Sequence, residues 1–104
     1  MIFHFSAGRF EPVDGLVTRT INAGEDVTLS VTAVNSGGSP LWRRTRNGTI
    51  NDNLSNSNQD SYMVAATDAV HGDLYTVIGS AVALSDNYFS IIRLIVRGKH
   101  IVHR

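Results

Sequence analysis

Apolar and polar residues alternate along most of this chain in short runs, and turn-forming residues interrupt the runs about every eight to twelve positions. The run Val27–Val31 is the clearest example, since every second residue in it is apolar. A period of two places one face of a strand in a core, and no helical period lasts longer than about one turn. The pattern therefore predicts an all-β fold. The predicted strands are Val17–Ile21, Asp26–Val34, Leu41–Arg46, a strand beginning at Thr49–Ile50, Ser61–Ala66, Asp73–Ser80 and Tyr88–Arg97.

The connections between these runs are rich in residues that favour turns. Asn47-Gly48 is a strong signal for a two-residue hairpin. The stretch Asn51–Asp60 has one apolar side chain, Leu54, among asparagine, serine, aspartate and glutamine. We expect an exposed mobile loop or a ragged sheet edge there.

The composition is that of one globular domain. The chain has 104 residues, 42% of them hydrophobic and 17% charged, with a formal net charge of zero. This length allows one core, so residues 1–104 are predicted to form a single domain with its core at about 15–98 and a tail or linker at 99–104. A neutral chain has no long-range attraction for nucleic acid, and none is expected as a partner. No apolar stretch approaches the roughly 20 residues of a membrane span, so a membrane is expected only through a tether outside this fragment.

Three segments carry a resemblance to a known family. Gly24–Val31 is followed by Trp42-Arg43-Arg44 and then by Gly72–Val77, in which a tyrosine stands two residues before the end. Across nearly the whole chain this pattern resembles a V-set or I-set immunoglobulin-like domain. The closing Arg93–Arg97 and the lack of cysteine are more narrowly similar to the immunoglobulin-like domains of Tie-family receptor tyrosine kinases.

The resemblance implies a two-sheet β-sandwich with Greek-key connections and a disulfide-free core. Val31 and Val77 stand where such domains carry their two cysteines, with Trp42 and Tyr75 in the positions of the buried tryptophan and the corner tyrosine. Two β-branched side chains can fill the space of the missing crosslink by burying apolar surface. We therefore predict Val31, Trp42, Tyr75 and Val77 as one structural core.

An ion pair is expected next to this core. Arg44 shares the inward parity of Trp42, two residues earlier. It should reach the corner before the strand Asp73–Ser80, where Asp68 or Asp73 can accept a charge-assisted hydrogen bond. This predicts a structural role for Arg44 rather than ligand binding.

The best functional clue is a sheet face. In the fold that the resemblance implies, strands C, F and G (Leu41–Arg46, Asp73–Ser80 and Tyr88–Arg97) share one sheet. Their outward positions combine isoleucine with arginine, as protein interfaces do. We predict that this C-F-G face or the end loops bind a protein ligand or receptor partner, with a homodimer through the same face as one form; alternatively the face is ordinary surface, or a loop or the tail covers it. The predicted contact residues are Arg43, Thr45, Ile78, Ile91, Arg93, Ile95 and Arg97.

The resemblance also implies a place and a role for the domain. We expect an extracellular recognition domain of a cell-surface receptor or adhesion protein, present here as a fragment of a larger protein. Asn47 and Asn53 each begin a triplet that fits N-glycosylation. Because a chain rich in Asn, Ser and Thr produces such triplets by chance, these two residues support an extracellular location only weakly.

Little in the sequence points to catalysis. There is no cysteine nucleophile, no Gly-x-Ser-x-Gly motif and no phosphate-binding glycine loop. The four histidines, His4, His71, His100 and His103, are dispersed, whereas zinc needs about three or four converging ligands. We expect no enzyme activity, no cofactor and no metal.

A second hypothesis belongs to another class of protein. A chain that lacks cysteine and begins with Met would suit a structural or carbohydrate-binding β-sandwich subunit of a virion or a bacterial surface assembly.

Overall fold

The structure is a computed structural model, and it describes residues 9–11, 16–34, 38–55, 57–80 and 87–98. Within these ranges the chain forms nine strands and one short 3-10 turn, Ala66–Asp68, and no α-helix. The predicted all-β class is therefore confirmed. The strands are β1 (Arg9–Glu11), β2 (Leu16–Asn22), β3 (Val27–Ser30), β4 (Thr32–Val34), β5 (Leu41–Arg46), β6 (Thr49–Asn51), β7 (Ser61–Val64), β8 (Leu74–Ser80) and β9 (Asn87–Arg97).

Five strands form the larger sheet, in the order β2-β9-β8-β5-β6. β2 runs parallel to β9, with Leu16 opposite Ile91 and Asn22 opposite Arg97. The other neighbours in this sheet are antiparallel. Two small antiparallel sheets pair β1 with β4 and β3 with β7. Only Val31 separates β3 from β4, so one continuous segment contributes to both small sheets.

One hydrophobic cluster joins the large sheet to the small ones. Trp42 and Val77 are fully buried, and they are cross-strand partners in β5 and β8. Tyr75 and Val31 belong to the same cluster, at 1% and 6% exposure. The four residues predicted as the structural core thus lie in one buried cluster. Its other members are Phe10, Ile21, Val27, Leu29, Val64, Tyr88, Ile92 and Leu94.

The polar stretch after β6 is attached to this core through its backbone. Trp42 donates its backbone N–H to the carbonyl of Ser57 at 2.9 Å and its indole Nε1–H to the carbonyl of Gln59 at 2.7 Å. The N–H of Val31 donates to the carbonyl of Asp60 at 2.9 Å. Residues 52, 53, 55 and 58–60 are exposed, as expected, whereas Ser57 is buried and the carbonyls of residues 57, 59 and 60 are hydrogen-bonded to the core strands. Side-chain polarity could not reveal these contacts, because main-chain carbonyls make them.

Glycine is required at two places in the large sheet. Asn47 (φ 50°) and Gly48 (φ 78°) both lie in the left-handed region that a two-residue hairpin demands, and this confirms the predicted turn between β5 and β6. Gly79 in β8 lies opposite Tyr88 in β9. A Cβ atom at Gly79 would lie 2.7 Å from Cζ of Tyr88, so the ring packs directly on the glycine backbone.

Candidate interface on the five-stranded sheet

The outer face of the five-stranded sheet has an exposed apolar centre. Leu41, Ile78 and Phe89 form one row across β5, β8 and β9. Leu16 and Ile91 form the next row, across β2 and β9. These five side chains are termed the apolar patch. Directly opposed side chains in a sheet have Cβ atoms about 4.5–5.5 Å apart, so the members of each row are neighbours.

The apolar patch is open to solvent. Phe89 is 52% exposed, Leu16 53% and Leu41 40%, whereas Ile78 and Ile91 are half-buried between them. Single exposed apolar residues are ordinary, but a contiguous group of large ones on a small domain marks an interaction surface. The patch is therefore the strongest candidate binding surface among the described residues.

Two unpaired arginines adjoin the apolar patch. Arg93 and Arg97 follow Ile91 on the same face of β9, and both are exposed. Neither forms an ion pair within the part of the chain that the structure describes. At about 3.3 Å per residue, their Cα atoms lie about 13 Å apart along the strand. They are termed the arginine pair.

Among the residues that the structure describes, no free carboxylate balances this charge from the same face. The outward positions of the five strands carry no Asp or Glu. Asp52 follows β6 directly, but Arg43 already holds it in an ion pair. The surface thus combines an apolar centre with uncompensated positive charge at one end, which favours an acidic counterpart.

The seven predicted contact residues all occupy outward positions of β5, β8 and β9. Thr45 and Ile95 are only partly exposed and lie away from the apolar patch. Leu16, Leu41 and Phe89 were not predicted, although all three are exposed apolar residues of the face. For Phe89 the signal was present, because it shares the parity of Ile91. For Leu16 it was absent, because the parallel pairing of β2 with β9 leaves no mark in local sequence.

The ion pair behind the sheet uses a different arginine from the predicted one. Nε and Nη2 of Arg46 donate to the carboxylate of Asp73 at 3.0 and 2.7 Å, and Nη2 also donates to the carbonyl of Asp68 at 3.0 Å. The hydrogen bonds to Asp73 raise the pKa of the Arg46 guanidinium, against the opposing effect of burial. The prediction of Arg44 as the cation is therefore wrong. Arg44 and Arg46 lie on the same inward face of β5, but Asp73 is within reach of Arg46, which is two residues further along the strand.

Arg44 instead contributes to the electrostatics of two tyrosines. Tyr62 packs between Trp42 and Tyr75, with ring centroids 6.0 and 5.7 Å away. Burial raises the pKa of both Tyr62 and Tyr75, and the positive charge of Arg44 partly offsets this. Nε of Arg44 is buried without a hydrogen-bond partner. A structural role for Arg44 stays a prediction, now beside these two tyrosines rather than beside Asp68 or Asp73.

The two glycosylation candidates are both accessible. Asn47 lies at the tip of the β5–β6 hairpin and is exposed. Asn53 is exposed too, and its backbone N–H donates to Oδ1 of Asn51 at 2.9 Å. Glycosylation at either residue stays a prediction.

Among the histidines, only His71 lies in the described residues. Its Nδ1 accepts the backbone N–H of Val96 at 3.1 Å, so the side chain extends the hydrogen bonding along β9. His4, His100 and His103 lie outside the described residues. Within them, no group of three or more His, Cys, Asp or Glu is placed to hold a metal ion. Nor does any helix found there have the length and apolarity to span a bilayer.

No protein-family model matches the chain, and no curated protein matches it significantly.

Proposed function

We propose that this chain is an immunoglobulin-like recognition domain that binds a protein partner through the outer face of its five-stranded sheet. The observation that carries the proposal is the exposed apolar patch beside the unpaired arginine pair. Interfaces enrich arginine and bury apolar centres, and charge complementarity steers the approach of a partner.

Strand order supports the immunoglobulin-like part of the proposal. With β5, β8 and β9 taken as strands C, F and G and β6 as C′, the sheet order C′-C-F-G is that of a variable-type sandwich. β3 and β7 then take the places of strands B and E, which pair in the opposite sheet. Trp42 on β5 packs with the positions usually bridged by cystine, which are Val31 and Val77 here. The narrower similarity to Tie-family receptors stays a prediction.

The charges indicate what the partner offers. A complementary surface would present an apolar centre to Phe89 and carboxylates about 13 Å apart to Arg93 and Arg97. A second copy of this face fits less well, because its strands provide no outward carboxylate and Asp52 is already paired. We therefore favour a different protein with an acidic rim over a homodimer.

An extracellular or cell-surface location belongs to the same proposal. Recognition of a protein partner is the usual task of such domains in receptors and adhesion proteins, although fold alone does not fix function. The exposed Asn47 and Asn53 are compatible with glycosylation in that location.

Cell binding tests the proposal. A labelled tetramer of the chain would be applied to cells of the organism that carries this sequence. The variant Phe89→Asp should lose at least tenfold in binding, because a charge would enter the centre of the apolar patch. Met63→Asp is the matched control, since Met63 is 56% exposed on β7, in a different sheet.

The outcomes separate the hypotheses. Loss of binding with Phe89→Asp but not with Met63→Asp supports the face as the interface. Equal binding by both variants and the parent chain contradicts it. A parent chain that sediments as a dimer, and as a monomer when Phe89 is changed, would assign the face to a second copy instead.

A further inference from the structure

A second candidate site lies at the open side of the sandwich, between β2 and β3. β2 is the edge of the large sheet, β3 pairs only with β7, and no ladder joins β2 to β3 in the described residues. A cavity of about 190 Å³ opens there. It lies on the opposite side of the large sheet from the apolar patch and is independent of the proposed interface.

The floor of the cavity is buried and largely apolar, with Ser90 as a buried polar member. Leu29 and Val31 close it from one layer, and Ile92 closes it from the other, with exposures of 1%, 6% and 7%. Apolar cavities of about 150 Å³ stay dry and bind benzene. A cavity of this size therefore accommodates a single aromatic ring or a short alkyl chain.

A cation stands at the mouth of the cavity. Arg19 lines it from an inward-parity position of β2, between Val17 and Ile21, yet its side chain is exposed. No ion pair of Arg19 occurs among the described residues. A guanidinium at the rim of an apolar cavity matches the two ends of one kind of molecule: a hydrophobic body in the cavity and a carboxylate on the arginine.

We propose that this cavity binds a small hydrophobic carboxylate, with its apolar part against Leu29, Val31 and Ile92 and its carboxylate on Arg19. A competing explanation is that an inward-pointing charge on an edge strand prevents association of sheets edge to edge. The two explanations differ in whether the charge of Arg19 recognises a ligand.

Calorimetric and NMR titrations with benzoate and hexanoate test the proposal, and benzyl alcohol and hexanol serve as neutral counterparts. The parent chain should bind the carboxylates about tenfold more tightly than the alcohols, with amide shifts confined to β2, β3 and β9. Arg19→Gln should abolish that preference while leaving the alcohols bound. Arg9→Gln is the control, because it removes an exposed cation that does not line the cavity and does not belong to the proposed interface.

A second variant tests the apolar cavity independently of the charge of Arg19. Val17→Phe should fill the rim of the cavity and weaken both carboxylates and alcohols at least tenfold without unfolding the chain. Absence of binding to the parent chain overturns the proposal, as does equal affinity for acids and alcohols. Aggregation of Arg19→Gln without any change in carboxylate preference would assign Arg19 to edge protection and also overturn it.

Discussion

Replacing Arg46 should destabilise the fold more than replacing its partner Asp73. Asp73 is 1% exposed, and Arg46 is the side chain that satisfies its carboxylate. In Arg46→Met the carboxylate of Asp73 stays buried without its cation. Leaving one charge of a buried ion pair without its partner costs about 3–5 kcal/mol of folding free energy. In Asp73→Asn the guanidinium, about a third of which is already in solvent, can turn to water. Loss of its charge-assisted bonds then costs about 1–2 kcal/mol, near the low end for such bonds.

Urea unfolding measures this asymmetry directly. Trp42 is the only tryptophan and is fully buried, so its fluorescence reports global unfolding. The double variant Arg46→Met/Asp73→Leu should recover part of the stability that Arg46→Met loses, because an apolar pair leaves no unpaired charge in the core. Equal costs for the two single replacements, or a double variant worse than Arg46→Met, would refute the reasoning. If the variants share the same m-value, which is the dependence of the unfolding free energy on urea concentration, their midpoints differ through stability alone.

Three further predictions concern the core. Gly79→Ala should lower the free energy of unfolding by about 1–3 kcal/mol in urea titrations, because the new methyl group would overlap the ring of Tyr88. Unfolding should become easier as pH rises above about 10, since burial raises the pKa of Tyr62 and Tyr75 in the folded state and the unfolded tyrosines ionise first. The contribution of the two neutral tyrosines to the free energy of unfolding is therefore fully present below the pKa of unfolded tyrosine. Above it, the free energy of unfolding falls by at most about 1.4 kcal/mol per pH unit for each tyrosine. In chemical denaturation at several pH values, the double variant with both tyrosines replaced by Phe should show a smaller pH dependence. Trp42→Phe should cost about 1–3 kcal/mol by circular dichroism, because the carbonyl of Gln59 loses its indole donor.

Local sequence patterns predicted most of the strands. The alternation of apolar residues located β5, β8 and β9 to within about two residues, and Asn47-Gly48 located the hairpin. Parity also placed the predicted contact residues on one face. These features depend on neighbours in sequence, which is why a single chain reveals them.

The same local patterns could not predict contacts between residues that are far apart in the chain. The parallel contact of β2 with β9 brings Leu16 beside Ile91, and those residues are 75 positions apart in the chain. The choice of Arg46 over Arg44 depends on where the chain turns before Asp73, which parity does not fix. The carbonyls that anchor the polar stretch to Trp42 belong to the backbone, so composition says nothing about them.

Photo-cross-linking from position 89 in the full-length protein on its native cells tests the central claim most directly. A photoreactive residue in place of Phe89 should capture a second protein, at a surface that carries carboxylates near the cross-link. The same residue in place of Met63 should not. Cross-links from position 89 that end only within this chain would show that its own segments cover the face, and capture of the same protein from both positions would show no preferred surface; either result would contradict the account.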